Sequence, residues 1–170
     1  TDEKVTLHLS LNDGTCPPGY PAVPVRRFII ALPPGADVSV SLTDLTIEET
    51  DIYDVAPSPD LMHDGETYRY DWDREMTSGF QPEGLYTLSP PGMLRDQRVV
   101  TLELHPVRYD RSSGKTSLLR KATVNVSFSG GTPGGQALRS RPARGPFKEL
   151  YSKTVLNHRS GRSWLRSASL

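Results

Sequence analysis

The chain has 170 residues, enough for one domain with a sizeable core, and its 20 Lys/Arg against 20 Asp/Glu leave no net charge to attract nucleic acid. No apolar run is long enough to span a bilayer, and the single cysteine, Cys16, excludes an internal disulfide and a cysteine-rich metal site. Fifteen prolines and fourteen glycines disfavour long helices and favour short strands joined by turns.

Val5-Thr-Leu-His-Leu-Ser-Leu11 alternates with period two and predicts a half-buried strand, ended by Asn12-Asp-Gly14. Gly19-Tyr-Pro-Ala-Val-Pro24 cannot lie inside a sheet, because each proline lacks the ladder N–H; it reads as an extended edge segment. Residues 25–32 resume a strand, closed by Pro33-Pro-Gly35. Strands follow at 37–43, with Val38, Val40 and Leu42 aligned, and at 45–53, where the buried face is ambiguous. Ala56-Pro-Ser-Pro59 then interrupts the sheet. In the polar stretch 60–73, Tyr68, Tyr70 and Trp72 are spaced two apart and share a face if extended. The simplest expectation is a short edge strand packing these rings on the sandwich; the functional alternative is an aromatic platform for sugar or peptide.

Residues 97–128 carry the clearest pattern. Val100, Leu102 and Leu104 alternate with polar residues, as do Ala122, Val124, Val126 and Phe128, around a turn at 110–114. This predicts one long antiparallel hairpin with His105 on the polar face. Ser129-Gly-Gly-Thr-Pro-Gly-Gly135 has linker composition. Beyond it, Phe147, Leu150, Tyr151 and Val155 recur at helical spacing, and 157–170 reads as a basic tail. From 137 to 170 there are eight Lys/Arg against one acid, Glu149, which suggests self-docking, an acidic partner or a solvated tail. The expected architecture is all-β, an antiparallel jelly-roll-like sandwich with a short C-terminal helix or extended tail. Its expected divisions are a sandwich at 1–130, a linker at 131–146 and a C-terminal segment at 147–170.

No Gly-rich phosphate loop, His-Glu-x-x-His motif or Gly-x-Ser-x-Gly elbow occurs. His8, His63, His105 and His158 are far apart in the chain, and Asp71 with Asp73 has nothing to mark it as a general acid/base pair. The residues alone therefore point to a non-enzymatic sandwich without metal or cofactor. The start at Thr1, without an apolar leader, fits a processed chain as well as a cytosolic one.

Five motifs in order resemble the N-terminal prodomains of gingipain-type cysteine peptidases. They are Gly19-Tyr-Pro-Ala-Val-Pro24, Leu32-Pro-Pro-Gly-Ala-Asp-Val38, Val55-Ala-Pro-Ser58, the 97–109 strand with Ser113-Gly-Lys115, and residues 147–157. The resemblance implies a β-sandwich that keeps a cysteine peptidase latent during export, assists its folding, and lays a loop over the active-site cleft. The catalytic His and Cys would belong to a further domain, the partner of this one. It also implies a secreted, periplasmic or cell-surface setting, with no nucleic acid and no membrane span.

In that family the loop after Ala-Pro-Ser carries a basic residue, whereas here the ungapped position is Asp64. Three readings stay open. The loop slips so that Arg69 enters the pocket; or Leu61, Met62, His63 and Asp64 mimic a substrate with an acidic residue; or the loop covers the cleft by bulk. Arg159, Arg162 and Arg166 form a candidate processing region, expected to be exposed and extended. A stand-alone carbohydrate-binding or adhesion sandwich using Tyr68, Tyr70 and Trp72 is the competing function.

Overall fold

Alternating apolar residues on two long strands decide the architecture, because each must bury one face against a second sheet. The computed structural model describes residues 3–6, 17–51, 55–63, 65–72, 78–131 and 146–164; for 3–6, 146 and 147 this extends to the backbone only.

In the first sheet, β10 (Lys115–Gly130) is central. β3 (Ala36–Asp51) runs antiparallel along one edge of it, from Gly130 opposite Ala36 to Lys115 opposite Asp51. β1 (Glu3–Thr6) and β9 (Val107–Asp110) share the other edge, pairing with 123–126 and 115–118. In the second sheet, β8 (Gln97–Leu104) is central, with β2 (Arg26–Ala31) on one side. β6 (Tyr86–Leu88) and β7 (Gly92–Leu94) lie on the other. β4 (Asp60–Leu61) and β5 (Tyr68–Arg69) form a separate two-stranded hairpin. Helices α1 (Pro146–Thr154) and α2 (His158–Ser163) complete the described elements. The fold is thus an all-β antiparallel sandwich with short C-terminal helices.

The period-two faces meet between the sheets. Ile30, Val100, Leu102 and Leu104 from the second sheet pack against Val124 and Val126 from the first, flanked by Val38, Val40, Leu42 and Phe128. Register explains the grouping: Val124 stands opposite Leu42, Val126 opposite Val40, and Leu102 opposite Phe28. Two side chains of the second sheet also tie it to β3. The Tyr86 hydroxyl donates to the Val40 carbonyl, and the Arg98 guanidinium donates to that of Ala36.

Several expectations are corrected. Residues 97–128 are not one hairpin. β8 and β10 lie in different sheets, and only β9 turns back onto β10. The break falls at His105-Pro106, where proline withholds an N–H and restricts the residue before it, so the ladder stops and the chain crosses between sheets. At this corner alternation fails: Leu104, His105 and Pro106 are all buried. His105, expected on the polar face, is therefore internal, with Nδ1 3.1 Å from the Gly84 carbonyl and Nε2 3.4 Å from the Glu103 carboxylate.

The strands expected at 37–43 and 45–53 are one continuous β3 through Asp51. Asp44 takes a positive φ of 51° beside a register shift against β10, which absorbs the extra residue without ending the strand. Of the strand expected at 5–11, β1 covers only its first residues; 7–16, including His8 and Cys16, lie outside the described residues, as do 132–145 of the expected linker. In α1, Tyr151 is buried as its spacing requires, but Leu150 is exposed. Of the tail expected at 157–170, residues 157–164 are not extended, since α2 docks on the second sheet, and 165–170 lie outside the described residues.

The turn after β9 shows the local chemistry its sequence suggests. The Asp110 carboxylate accepts from the Ser112 N–H (3.0 Å) and from the Ser112 and Ser113 hydroxyls (both 2.7 Å), while Gly114 takes φ 69°. These hydrogen bonds, led by those from Ser112 and Ser113, lower the Asp110 pKa from 3.8 to about 2. A carboxyl group lowered on folding stabilises the folded state above its unfolded pKa, and that contribution fades as pH falls through the folded value. Asp110→Ala is therefore expected to melt earlier than the parent at pH 7. The difference should shrink between pH 3.8 and about 2. Thermal melts across that range check this, and a gap that persists unchanged below pH 2 would count against it.

Candidate functional site

The site is built from its base outward. The segments 19–23 and 56–58 pair with each other. Gly19 N–H donates to Ser58 O (2.9 Å), Ser58 N–H to Tyr20 O (2.7 Å), and Ala22 N–H to Ala56 O (2.8 Å). Pro21 and Pro57 face one another across this bridge. Such proline-rich strands pair only where their neighbours supply the N–H groups, which suits them to an edge. Beneath lies a second small core of Val23, Val25 and Tyr109, with Tyr20, Val55 and Val107 packed around it. Tyr109 is itself fixed by paired backbone hydrogen bonds with Gln81 (2.9 and 2.8 Å). Two sequence motifs distant in the chain thus form one anchored platform, and β4 leaves from its end.

From this platform the β4–β5 hairpin projects without joining either four-stranded sheet. Asp60 stands opposite Arg69 and Leu61 opposite Tyr68. The turn is closed by Met62 N–H to Thr67 O and Gly65 N–H to Met62 O, both 2.9 Å. Gly65 has φ 74°, a conformation that glycine adopts without steric cost. Five of the nine large apolar side chains exposed among the described residues fall here: Leu61 (50%), Met62 (40%), Tyr68 (60%), Tyr70 (52%) and Trp72 (44%). Concentrating them on one small hairpin is the pattern of an interaction surface rather than scattered exposure.

The structure places the sequence-derived residues unevenly. Leu61, Met62, His63, Arg69, Tyr68, Tyr70 and Trp72 come together on or beside the hairpin and are exposed. The expectation that the three rings pack on the sandwich is corrected. β5 spans only two residues, so the segment does not lie on the sheet as an edge strand. Asp64 lies outside the described residues. Arg159 and Arg162 are exposed but helical, on α2, not extended; Arg166 lies outside the described residues. Sequence reasoning missed Asn157 and Gln97, buried polar residues that hold the C-terminal helices. Nothing local marks them, because their partners on β2 and just after it are distant in the chain. Among the described residues, no three His, Cys, Asp or Glu gather as a metal site.

The described residues thus form a sandwich that presents an apolar hairpin. Residues 1–159 match the Propeptide_C25 family model, and the chain belongs to that family. It is a non-catalytic propeptide, the prodomain of a C25 peptidase. The fold is similar to a chain in the complex of Porphyromonas gingivalis RgpB pro- and mature domains. There the TM-score is 0.68 at 17% identity, over 94% of this chain and 87% of that one. It is also similar to a structure concerned with zymogenic latency of gingipain K from Porphyromonas gingivalis. In that case the TM-score is 0.60 at 22% identity, over 75% of this chain and 81% of that one. No curated protein matches the chain.

Proposed function

We propose that this prodomain keeps its cysteine peptidase latent by docking the 60–69 hairpin in the active-site cleft, and that it assists folding of the catalytic domain before activation. The observation that carries this reading is the projecting hairpin with Leu61, Met62, Tyr68, Tyr70 and Trp72 exposed. A short extended segment fills a peptidase cleft by main-chain pairing and side-chain pockets. Occupancy without a bond held in reactive geometry blocks the cleft without turnover. The similarity in fold to the complex of RgpB pro- and mature domains and to the gingipain K structure concerned with zymogenic latency supports the same reading. The setting is that of an exported precursor: secreted, periplasmic or at the cell surface.

Whether the cleft receives Arg69, the acidic Asp64 or the hairpin by bulk is separated by substitution. Asp64→Ala is expected to weaken inhibition more than Arg69→Ala. Equal potency of both variants and the parent would remove both charged side chains from the mechanism and leave coverage by bulk. The overall reading is tested by titrating the 170-residue chain against the cognate catalytic domain. Residual activity should fall to the baseline near one equivalent; undiminished activity at large excess would overturn it. The exposure of Tyr68, Tyr70 and Trp72 also favours a second reading, a stacking platform for glycans. Pull-down on immobilised glycans, lost in Trp72→Ala, would support that reading instead.

A further inference from the structure

The C-terminal segment of α1 and α2, with Trp164 after it, contacts both sheets. Leu156 N–H donates to Ile29 O (2.9 Å), and Val155 bridges Ile29 in parallel register, so the chain adds a short rung to the outer edge of β2. The Asn157 carboxamide extends that rung. Its Oδ1 accepts from Ala31 N–H (2.8 Å) and its Nδ2 donates to Ala31 O (3.0 Å), both buried. Tyr151 and Val155 pack on Ala31, and the Tyr151 hydroxyl lies 3.4 Å from Gln97 Oε1, while Gln97 Nε2 donates to Leu32 O (3.0 Å). Trp164 closes the far side against Phe128, ring centroids 5.6 Å apart at 76°. Gly161 permits the fit: a Cβ there would lie 2.5 Å from the Tyr151 hydroxyl and 2.7 Å from the Ala31 Cβ.

We propose that residues 146–164 are a latch belonging to the prodomain, and that docking shields Arg159 and Arg162 from proteases that cut after arginine. A protease of this kind takes its substrate extended, whereas both residues sit in α2. Arg162 is further held by donating to Lys148 O (3.5 Å), with its guanidinium 6.0 Å from the centre of the Tyr151 ring. Presenting either bond requires α2 to unwind, and presenting the Arg159 bond also requires Asn157 to give up its two buried hydrogen bonds to Ala31. Cleavage within the stretch then tracks the small fraction of molecules that are unlatched. As a step in activation this rests on the chain's being the prodomain of a peptidase held latent. Protection itself is read on the chain alone, so its failure is distinguishable from failure to inhibit.

Limited trypsin digestion of the 170-residue chain, with fragment ends assigned by mass spectrometry, tests the proposal. Cleavage after Arg159 and Arg162 is expected to be at least about tenfold slower than in a synthetic peptide spanning 155–166. Asn157→Ala should accelerate it by about 10–100-fold, as loss of buried hydrogen bonds predicts. Gly161→Ala should accelerate it in the same direction by pushing α2 away from Tyr151 and Ala31. Parent and free peptide cut at equal rates would overturn the latch whether or not either variant folds. Variants that retain the parent melt and the parent cleavage rate would overturn the roles of Asn157 and Gly161.

Discussion

Replacing Leu61, Met62 and Tyr68 together by serine is expected to weaken inhibition of the cognate peptidase by at least about 100-fold while leaving the melting transition of the isolated prodomain where it was. The three side chains are 50%, 40% and 60% exposed, so the fold gains little from them. Surface substitutions of this kind usually change stability by less than about 0.5 kcal/mol. Under the proposed docking the same groups would become the desolvated centre of the contact. Anchors in that position commonly cost about 1–2 kcal/mol or more each when truncated, and about 2.7 kcal/mol in total is 100-fold in affinity. Leu61 and Tyr68 stand opposite one another on the hairpin, so their effects should not simply add. Inhibition constants and melts of parent and variant decide the matter. A variant that inhibits as well as the parent would show that the hairpin does not enter the cleft.

Leu102→Ala should have the opposite profile, with a large loss of stability and, in the molecules that remain folded, an intact hairpin. Leu102 is fully buried at the centre of β8, opposite Phe28 on β2 and Leu88 on β6, within the main core. Truncation removes about three carbons of buried surface and leaves a cavity that the flanking strands of a sandwich fill poorly, at a typical cost of about 3–4 kcal/mol. For a domain of this length that is roughly 6–15 °C in Tm. Chemical denaturation should show a lower midpoint at unchanged slope. Leu45→Ala, on the exposed outer half of β3, should change stability by no more than about 0.5 kcal/mol and serves as the matched comparison. A Leu102→Ala cost below about 1 kcal/mol would mean that β8 is not at the centre of the core.

These predictions divide along the line between what was legible in the residues and what was not. Alternation identified the faces of β3, β8 and β10, because a pleated strand shows every second side chain to the core whatever its partner. It could not assign the partner. β8 and β10 have equally good faces, and their separation into two sheets depends on one proline corner, where three successive buried residues also hide His105. The 110–114 turn was legible because Asp110, Ser112 and Ser113 satisfy one another and Gly114 supplies the positive φ, all within five residues. The latch was not. Asn157 and Ala31 meet across 126 positions, and neither carries a local sign of the other.

The hairpin lies between these cases. The resemblance marks Leu61, Met62, His63, Asp64 and Arg69 as a loop over a cleft, while the spacing of Tyr68, Tyr70 and Trp72 predicts an edge strand lying on the sandwich. The structure turns that stretch outward from a platform made by residues 19–23 and 56–58, leaving its apolar side chains in water. Sequence by itself determined the class of fold and picked out the apolar side chains Leu61, Met62, Tyr68, Tyr70 and Trp72, since period and side-chain chemistry are local properties. Only the tertiary structure decided which of those residues are exposed, and that the basic region at 159–162 is docked. Exposure is a property of what the rest of the chain covers, and it is settled by contacts between segments that sequence separates.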